Sequence, residues 1–391
     1  MYQSRSFSLR RTATAVAAGL AVTALAACGA TGPAGTSATP AADNAALSDL
    51  KKSVDQMSQA LPAYPVPTDK VDGVSSLRGK TVYYIPITQQ APQFAVTATA
   101  LTDALKAAGV NLQVCNGGSN PSQISACVSQ ATGANAGGII TDSIPYGMAA
   151  NALDAARAKK IPVLITDQIP DSAHPADATL GYIQGAGGDM LKAVADWIIV
   201  DSGGTANVLI NGSTDSPSTK SYVDQAKQEF SAKCPGCKVT VNEISSANYS
   251  LIASSTSSAI LRTPGVNYVV SEFDQYLQPT LQGVQQSGKQ TSIKGASTAA
   301  QVSGLQMLSG KNFLYVDASQ ASPYQGWASA DAIFRLMLGK QLPTYTIPQR
   351  LFTRDNVSTV STDAAAEGTG SWHGPADFPD KFKALWGVSQ G

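Results

Sequence analysis

The sequence predicts an α/β protein of two doubly wound parallel-sheet lobes. Three observations lead there. At 391 residues the chain exceeds one small core and suits two lobes with appendages. From residue 80 onward, short β-branched runs alternate with stretches of helical periodicity. The same rhythm restarts after Gly187, so the unit occurs twice. Strands joined by single helices form parallel sheets with right-handed crossovers.

In the first unit, Thr81 to Ile85 reads as a buried strand. Phe94, Leu101, Leu105 and Ala108 then recur at helical spacing until Gly109 stops the helix. Asn111 to Val114 is the second strand. Asn120-Pro121 opens the next helix as an N-cap followed by a first-turn proline, and Ile124, Cys127, Val128 and Ala131 form its apolar face. Gly138 to Ile140 is the third strand. A helix ending in Lys159-Lys160 suits its negative end, and Ile161 to Ile165 is the fourth strand. In the second unit, a helix from Met190 to Val200 leads to the strand Ala206–Ile210. A helix around Tyr222 to Phe230 leads to Val239–Val241, and a helix from Ser250 to Leu261 leads to Asn267–Val270. Ligands of such sheets bind outside the carboxyl ends of the strands, so two facing lobes make a cleft there.

Composition narrows the function. Charged residues are 14% and the formal net charge is zero. Residues 1–27 hold Arg5, Arg10 and Arg11 and no acid, which leaves 24 basic against 27 acidic side chains, a net of −3, in the rest. There is no basic stripe for a phosphate backbone, so no nucleic-acid partner is expected. The three arginines precede a short apolar run, residues 13–27, as in a signal peptide. Leu25-Ala26-Ala27-Cys28 resembles the bacterial lipobox, which implies cleavage before Cys28, its diacylation, and residence on the outer face of the cell membrane. Arg10-Arg11 leaves the twin-arginine route open beside general secretion. Residues 28–79 read as tether and linker, with a short helix near 47–60 and the folded part starting near Lys80. The other four cysteines are expected to pair locally, Cys115 with Cys127 and Cys234 with Cys237. A redox pair at Cys234-Pro-Gly-Cys237 is disfavoured, because it follows a helix instead of starting one. Ligand spacing for a zinc site is lacking as well. No cofactor is implied. With only His174 and His373, neither in a partner pattern, and no G-x-S-x-G, H-E-x-x-H or Walker loop, the chain does not read as an enzyme. His174 reads as an exposed loop residue.

Several segments then carry a resemblance over roughly residues 80–355. They are Gln90-Ala91-Pro92-Gln93-Phe94, Asn120-Pro121, Ile161-Pro162-Val163 through Asp167, Val269 through Asp274, and Tyr315-Val316-Asp317 through Gly339. In this order they resemble the ribose/galactose-type solute-binding proteins of the type I periplasmic binding protein family, relatives of lactose-repressor cores. The resemblance implies two lobes joined by a three-crossover hinge, near Gly181–Gln184, Asp317–Ser322 and Thr344–Leu351. Lobe one would be 80–183 plus 321–348, and lobe two 184–320 plus 349–391, with the tail from Phe352 packed on lobe two. It further implies a monomer that delivers a small ligand, a sugar or another uncharged polar compound, to an ABC transporter permease. The alternative is a surface sensor acting with a membrane signalling receptor.

Candidate ligand-binding residues lie at strand ends. Gln89, Gln90 and Phe94 belong to the turn that the resemblance places over the ligand, although Phe94 also suits the core of its helix. Asp142 either faces the cleft or caps the following helix. Asp167 stands where the family binds a sugar hydroxyl, and Gln168 where sugar binders often have an arginine. Phe273 and Asp274 follow an apolar strand of the second lobe, and Gln320 ends the late crossover strand. Ser297-Thr298 stands where the family often has an aspartate, so the cleft is expected to be less acidic than an aldose site, with room for an apolar part of the ligand.

Overall fold

The computed structural model describes residues 44–388. The leader and Cys28 lie outside the described residues. Helix α1 (Asn44–Met57) comes first. The first sheet holds β1 (Thr81–Pro86), β2 (Asn111–Val114), β3 (Gly138–Asp142), β4 (Val163–Thr166) and β5 (Leu180–Ile183). Its order is β2-β1-β3-β4-β5, all parallel. Helices α2 (Pro92–Ala107), α3 (Pro121–Gly133) and α4 (Ala150–Ala158) make its crossovers. As the sequence suggests, Asn120 caps α3, accepting from the Ser122 and Gln123 amides.

Helix α5 (Gly187–Asp201) leads into the second sheet, built of β6 (Asn207–Ser213), β7 (Lys238–Ile244), β8 (Tyr268–Ser271), β9 (Lys294–Thr298) and β10 (Leu314–Gln320). The intervening helices are α6 (Pro217–Lys233), α7 (Ile252–Arg262), α8 (Leu277–Gln286) and α9 (Val302–Ser309). After α10 (Ser322–Met337), β11 (Gln349–Thr353) joins the edge antiparallel to β10, giving the order β11-β10-β9-β8-β6-β7. Short helices α11 (Ala364–Thr369) and α12 (Phe378–Trp386) end the chain.

Both sheets reverse strand order at one place, between β1 and β3 and between β6 and β8. These are the switch points where open α/β sheets leave a crevice. The chain passes between the sheets after β5, after β10 and before β11, the three expected crossings. The central strands are apolar and buried because helices cover both faces.

Two segments depart from the expected organisation. Residues 44–79 are not merely a linker: Leu50 and Val54 of α1 pack with Met190 and Val194 of α5 in the second lobe, while Tyr64, Val71, Val74 and Leu77 join the core of the first. The tail is divided too. Trp372 packs with Phe352 and Leu305 in lobe two, but Phe378, Phe382 and Trp386 pack with Tyr324 and Phe334 in lobe one. The cause is α10, which is buried on every side throughout Ser322–Leu336. The sheet covers one side of such a helix, and the two terminal segments cover the rest.

Cys115 and Cys127 are disulfide-bonded, tying the end of β2 to α3, and Cys234 is bonded to Cys237 after α6. Among the described residues no helix is long and apolar enough to cross a membrane.

Candidate functional site

A small cavity of about 70 Å³ lies between the lobes at both switch points. Its walls come from the residues that follow the strands there: Ile87 after β1, Ser143 after β3, Ser213 and Asp215 around the end of β6, and Phe273 after β8. The lobes touch across it. Ser218 at the start of α6 donates to Gln168 Oε1 (2.8 Å) and accepts from the Ile169 amide (3.0 Å).

Five of the nine sequence candidates line this cavity: Phe94, Asp167, Gln168, Phe273 and Gln320. Asp167 follows β4 with φ +54° and is half-buried. Its carboxylate accepts from Gln325 Nε2 at 2.9 Å and from Gln320 Nε2 at 3.3 Å. Gln320 Oε1 in turn accepts from the Ala186 amide (3.1 Å). Asp167 thus ties the end of a first-lobe strand to two hinge crossings while its remaining surface faces the cavity. Gly185 makes this possible, since a Cβ there would lie 1.9 Å from Asp167 Oδ1.

The other four candidates do not reach the cavity. Gln89 and Gln90 are exposed, and Gln90 lines a separate groove at the mouth of the cleft. Asp142 neither faces the cleft nor caps a helix. It is wholly buried beneath Asp167, with Oδ2 accepting from the Tyr84 hydroxyl at 2.5 Å. Burial first, and then the Asp167 charge, hold its carboxyl well above the usual range. Its other oxygen meets no hydrogen-bond partner. Asp274 is turned inward by the helical turn it begins. It accepts from the Gln301 amide (2.9 Å) and faces Asp317, and burial pushes it up to about 6. Phe273, one residue earlier, takes the cleft-facing place.

The second-lobe wall is the part the sequence reading missed. Asp215 is its main polar group. Its Oδ1 accepts from Ser245 Oγ (2.7 Å) and its Oδ2 from the Tyr276 hydroxyl (2.9 Å). Thr219 and Tyr222 of α6, Met190 of α5 and Tyr276 complete that side. Behind it Glu272 accepts from the Ser213 amide, and burial keeps its carboxyl well above its ordinary range. The missed signal was the stretch Asn211–Pro217, which follows a buried strand at the second unit's switch point.

His174 is half-buried, not a free loop residue. Its ring stacks on Tyr146 at 3.9 Å and its Nδ1 lies 2.8 Å from Asp171. Among the described residues no group of three or more His, Cys, Asp or Glu side chains could hold a metal. The cavity offers carboxylates, amides and hydroxyls beside aromatic faces. Such a set suits binding a small hydroxylated molecule.

Comparison with known proteins agrees with the two-lobed fold. A solute-binding protein of the 5-methylthioribose transporter of Thermotoga lettingae, bound to 5-methylthioribose, superposes with a TM-score of 0.67 at 18% identity, covering 79% of this chain and 98% of its own. An Agrobacterium vitis solute-binding protein holding α-D-tagatopyranose gives 0.63 at 18% identity, with 73% and 97% coverage. A Bacillus halodurans solute-binding protein with bound myo-inositol gives 0.62 at 15% identity, with 72% and 97% coverage. No curated protein matches the chain in sequence. The model of the periplasmic binding protein domain matches residues 82–341, about two thirds of the sequence. The chain therefore belongs to the periplasmic binding protein family, whose members bind a ligand and do not transform it.

Proposed function

We propose that this chain is an extracytoplasmic solute-binding lipoprotein, monomeric and held to the membrane through Cys28, that captures a sugar or sugar-like solute and delivers it to the permease of an ABC importer. The observation that carries the reading is the cavity at both switch points, where Asp167 and Gln320 keep acceptor capacity beside Phe94, Phe273 and Tyr222. Charged acceptors bind hydroxyls strongly, and aromatic faces suit the C–H side of a sugar ring. The structural neighbours bound to 5-methylthioribose, tagatopyranose and myo-inositol point to the same ligand chemistry. We take the moving lobes as 80–183 with 321–348 and 184–320 with 349–372, α12 travelling with the first.

The test is a thermal-shift screen of the mature chain against pentoses, hexoses, their thio derivatives and cyclitols, followed by calorimetric titration. A ligand at a hundred times its dissociation constant adds about 2.7 kcal/mol to stability. No shift with any polyol or sugar rejects the ligand class. Anchoring is tested separately. Cys28→Ala should release the protein from membranes or block its processing, and a processed variant that stays membrane-bound rejects the anchor.

A further inference from the structure

We propose that the solute carries an apolar substituent, and that a vestibule opening from the cleft between the loops after β3 and β4 and the start of α6 receives it. The inference rests on the cleft being a sugar-type site and specifies which solutes of that type it takes.

The vestibule is a recess of about 600 Å³. Gln168 and Asp215 line both the vestibule and the inner cavity, so the two adjoin across these side chains. Its walls are largely apolar: Tyr146, Met148, Ile169, Pro170, Tyr182 and Pro217. Most of the polar atoms around them are already engaged. The Tyr146 hydroxyl donates to Asp154 Oδ1 (2.6 Å) and accepts from Arg157 Nη1 (2.9 Å). The Tyr182 hydroxyl donates to the His174 carbonyl at 2.6 Å. Asp171 at the rim is met by His174, and Asp215 by Ser245, Ser246 and Tyr276. Ser218 Oγ is taken up by Gln168 and the Ile169 amide. What Tyr182 leaves for an occupant is ring carbon, beside Met148, Ile169, Pro170 and Pro217, while the buried Tyr146 backs the wall from within.

The wall is also rigid. Tyr146 is clamped by the His174 ring on one face and by two hydrogen bonds at its hydroxyl, and His174 is itself held by Asp171. A wall fixed before binding loses little entropy when an apolar group arrives. An unsubstituted monosaccharide in the inner cavity would leave this surface wet. An aryl, alkyl or alkylthio group attached to the ring would cover it and gain from the area removed from water.

The test is calorimetric titration of the full mature chain with D-ribose, D-glucose and D-galactose, and with their phenyl or methylthio derivatives. The substituted member of at least one pair should bind about tenfold or more tightly than its parent. Gly147 lies in the vestibule wall, its φ is not positive, and a Cβ there meets no atom within 4 Å. Gly147→Leu should therefore occupy part of the recess without strain, reduce the gain severalfold and leave the parent sugar's affinity unchanged. Met148→Gln, similar in size but polar, should reduce the gain. Parents that bind with no gain from any substituent overturn this inference alone, as does a gain that Gly147→Leu leaves undiminished. Failure of parents and derivatives together overturns the sugar-site reading and this inference with it.

Discussion

Asp167 is both a ligand candidate and a hinge residue, and that changes what its removal should do. A carboxylate that only awaited solute would leave the empty protein's stability untouched when deleted. Here it accepts from Gln325 and Gln320, and Gln320 also holds the Ala186 amide. A hydrogen bond to a charged group contributes about 1.5–3 kcal/mol, so Asp167→Ala should weaken solute binding about tenfold to a hundredfold. The same change should lower the melting temperature of the ligand-free protein, because Gln320 and Gln325 lose a partner. Titration beside apo melting curves checks both effects. Unchanged affinity removes Asp167 from the site, and unchanged apo stability removes it from the hinge.

The inward-facing acids give a pH dependence with a definite sign. Burial raises Asp274 to about 6, and burial then Asp274's charge raise Glu367 to about 7. Burial holds Asp142, Asp317 and Glu272 well above their ordinary values. A raised carboxyl binds its proton more tightly in the folded state. Its contribution is thus complete below the unfolded value, near 4, and is lost as pH rises through the folded value. His373 works the other way. Burial lowers it to about 4, so the stability it contributes is present above about 6.5 and is lost as pH falls to 4. With Asp196, raised to about 6, and Asp167, also raised by burial, seven acids against one histidine make stability fall between pH 5 and 8. Urea midpoints across that range check the slope, and Asp274→Asn should flatten the part below pH 6. A rising midpoint would contradict the assignment of neutral buried acids.

The residue scale also shows what the sequence could and could not reveal. Asp167 and Phe273 were legible because each follows an apolar strand at a predictable edge. Asp274 and Asp142 lie at equivalent places in sequence, yet face inward. One residue of register decides which side chain meets the cleft, and local pattern does not fix register at a strand end. Asp215 was hidden because Asn211–Pro217, rich in small polar residues, reads as an ordinary turn.

At the scale of elements, the strand and helix alternation was legible from Thr81 to Val270, where central parallel strands are continuous apolar runs, but β5, α8, β9, α9 and β11 were not assigned. The setting of α10 was not. Its periodicity gives no exposed face, and only the structure identifies its covers as residues 64–77 and α12. Asp331 is the polar centre of this packing. It is wholly buried and accepts from Arg335 Nε (2.8 Å), the Tyr345 hydroxyl (2.5 Å) and Trp386 Nε1 (2.7 Å). It thereby joins α10, the segment before β11 and α12. Asp331→Ala would leave Arg335, itself buried, without its counter-charge. Breaking a buried pair from one side typically costs about 3–5 kcal/mol. Equilibrium urea unfolding should show a loss of that size. A loss under about 1 kcal/mol would mean that Arg335 is satisfied by the Asp69 carbonyl alone, to which its Nη2 donates at 2.7 Å.

At the scale of the whole molecule, the hinge has more strands than the three expected. Residues 58–64 run from lobe two to lobe one, and residues 372–378 do the same. The two straps lie side by side: the Leu61 amide donates to the His373 carbonyl (2.6 Å), and the Tyr64 hydroxyl to the Gly370 carbonyl (2.5 Å). Arg350 fastens both on the lobe-two side, with Nε donating to the Ser58 carbonyl and Nη1 to the Trp372 carbonyl. Hinge opening must shear this pair as well as bend the three crossings, so the straps oppose opening and favour the form in which the lobes touch. A solute that binds the closed form has an apparent dissociation constant equal to the intrinsic one divided by the closed fraction, so the straps should raise affinity. The exposed stretch at 375–377 allows a clean test, because a protease site inserted there cuts the strap while α12 stays docked through Phe378, Phe382 and Trp386. Cleavage should lower solute affinity severalfold and increase the radius of gyration of the ligand-free protein by small-angle scattering. The bound form should keep its dimensions, since solute contacts then hold the lobes together. If the cut protein binds and scatters like the intact one, the straps carry no restraint and their role is confined to covering α10.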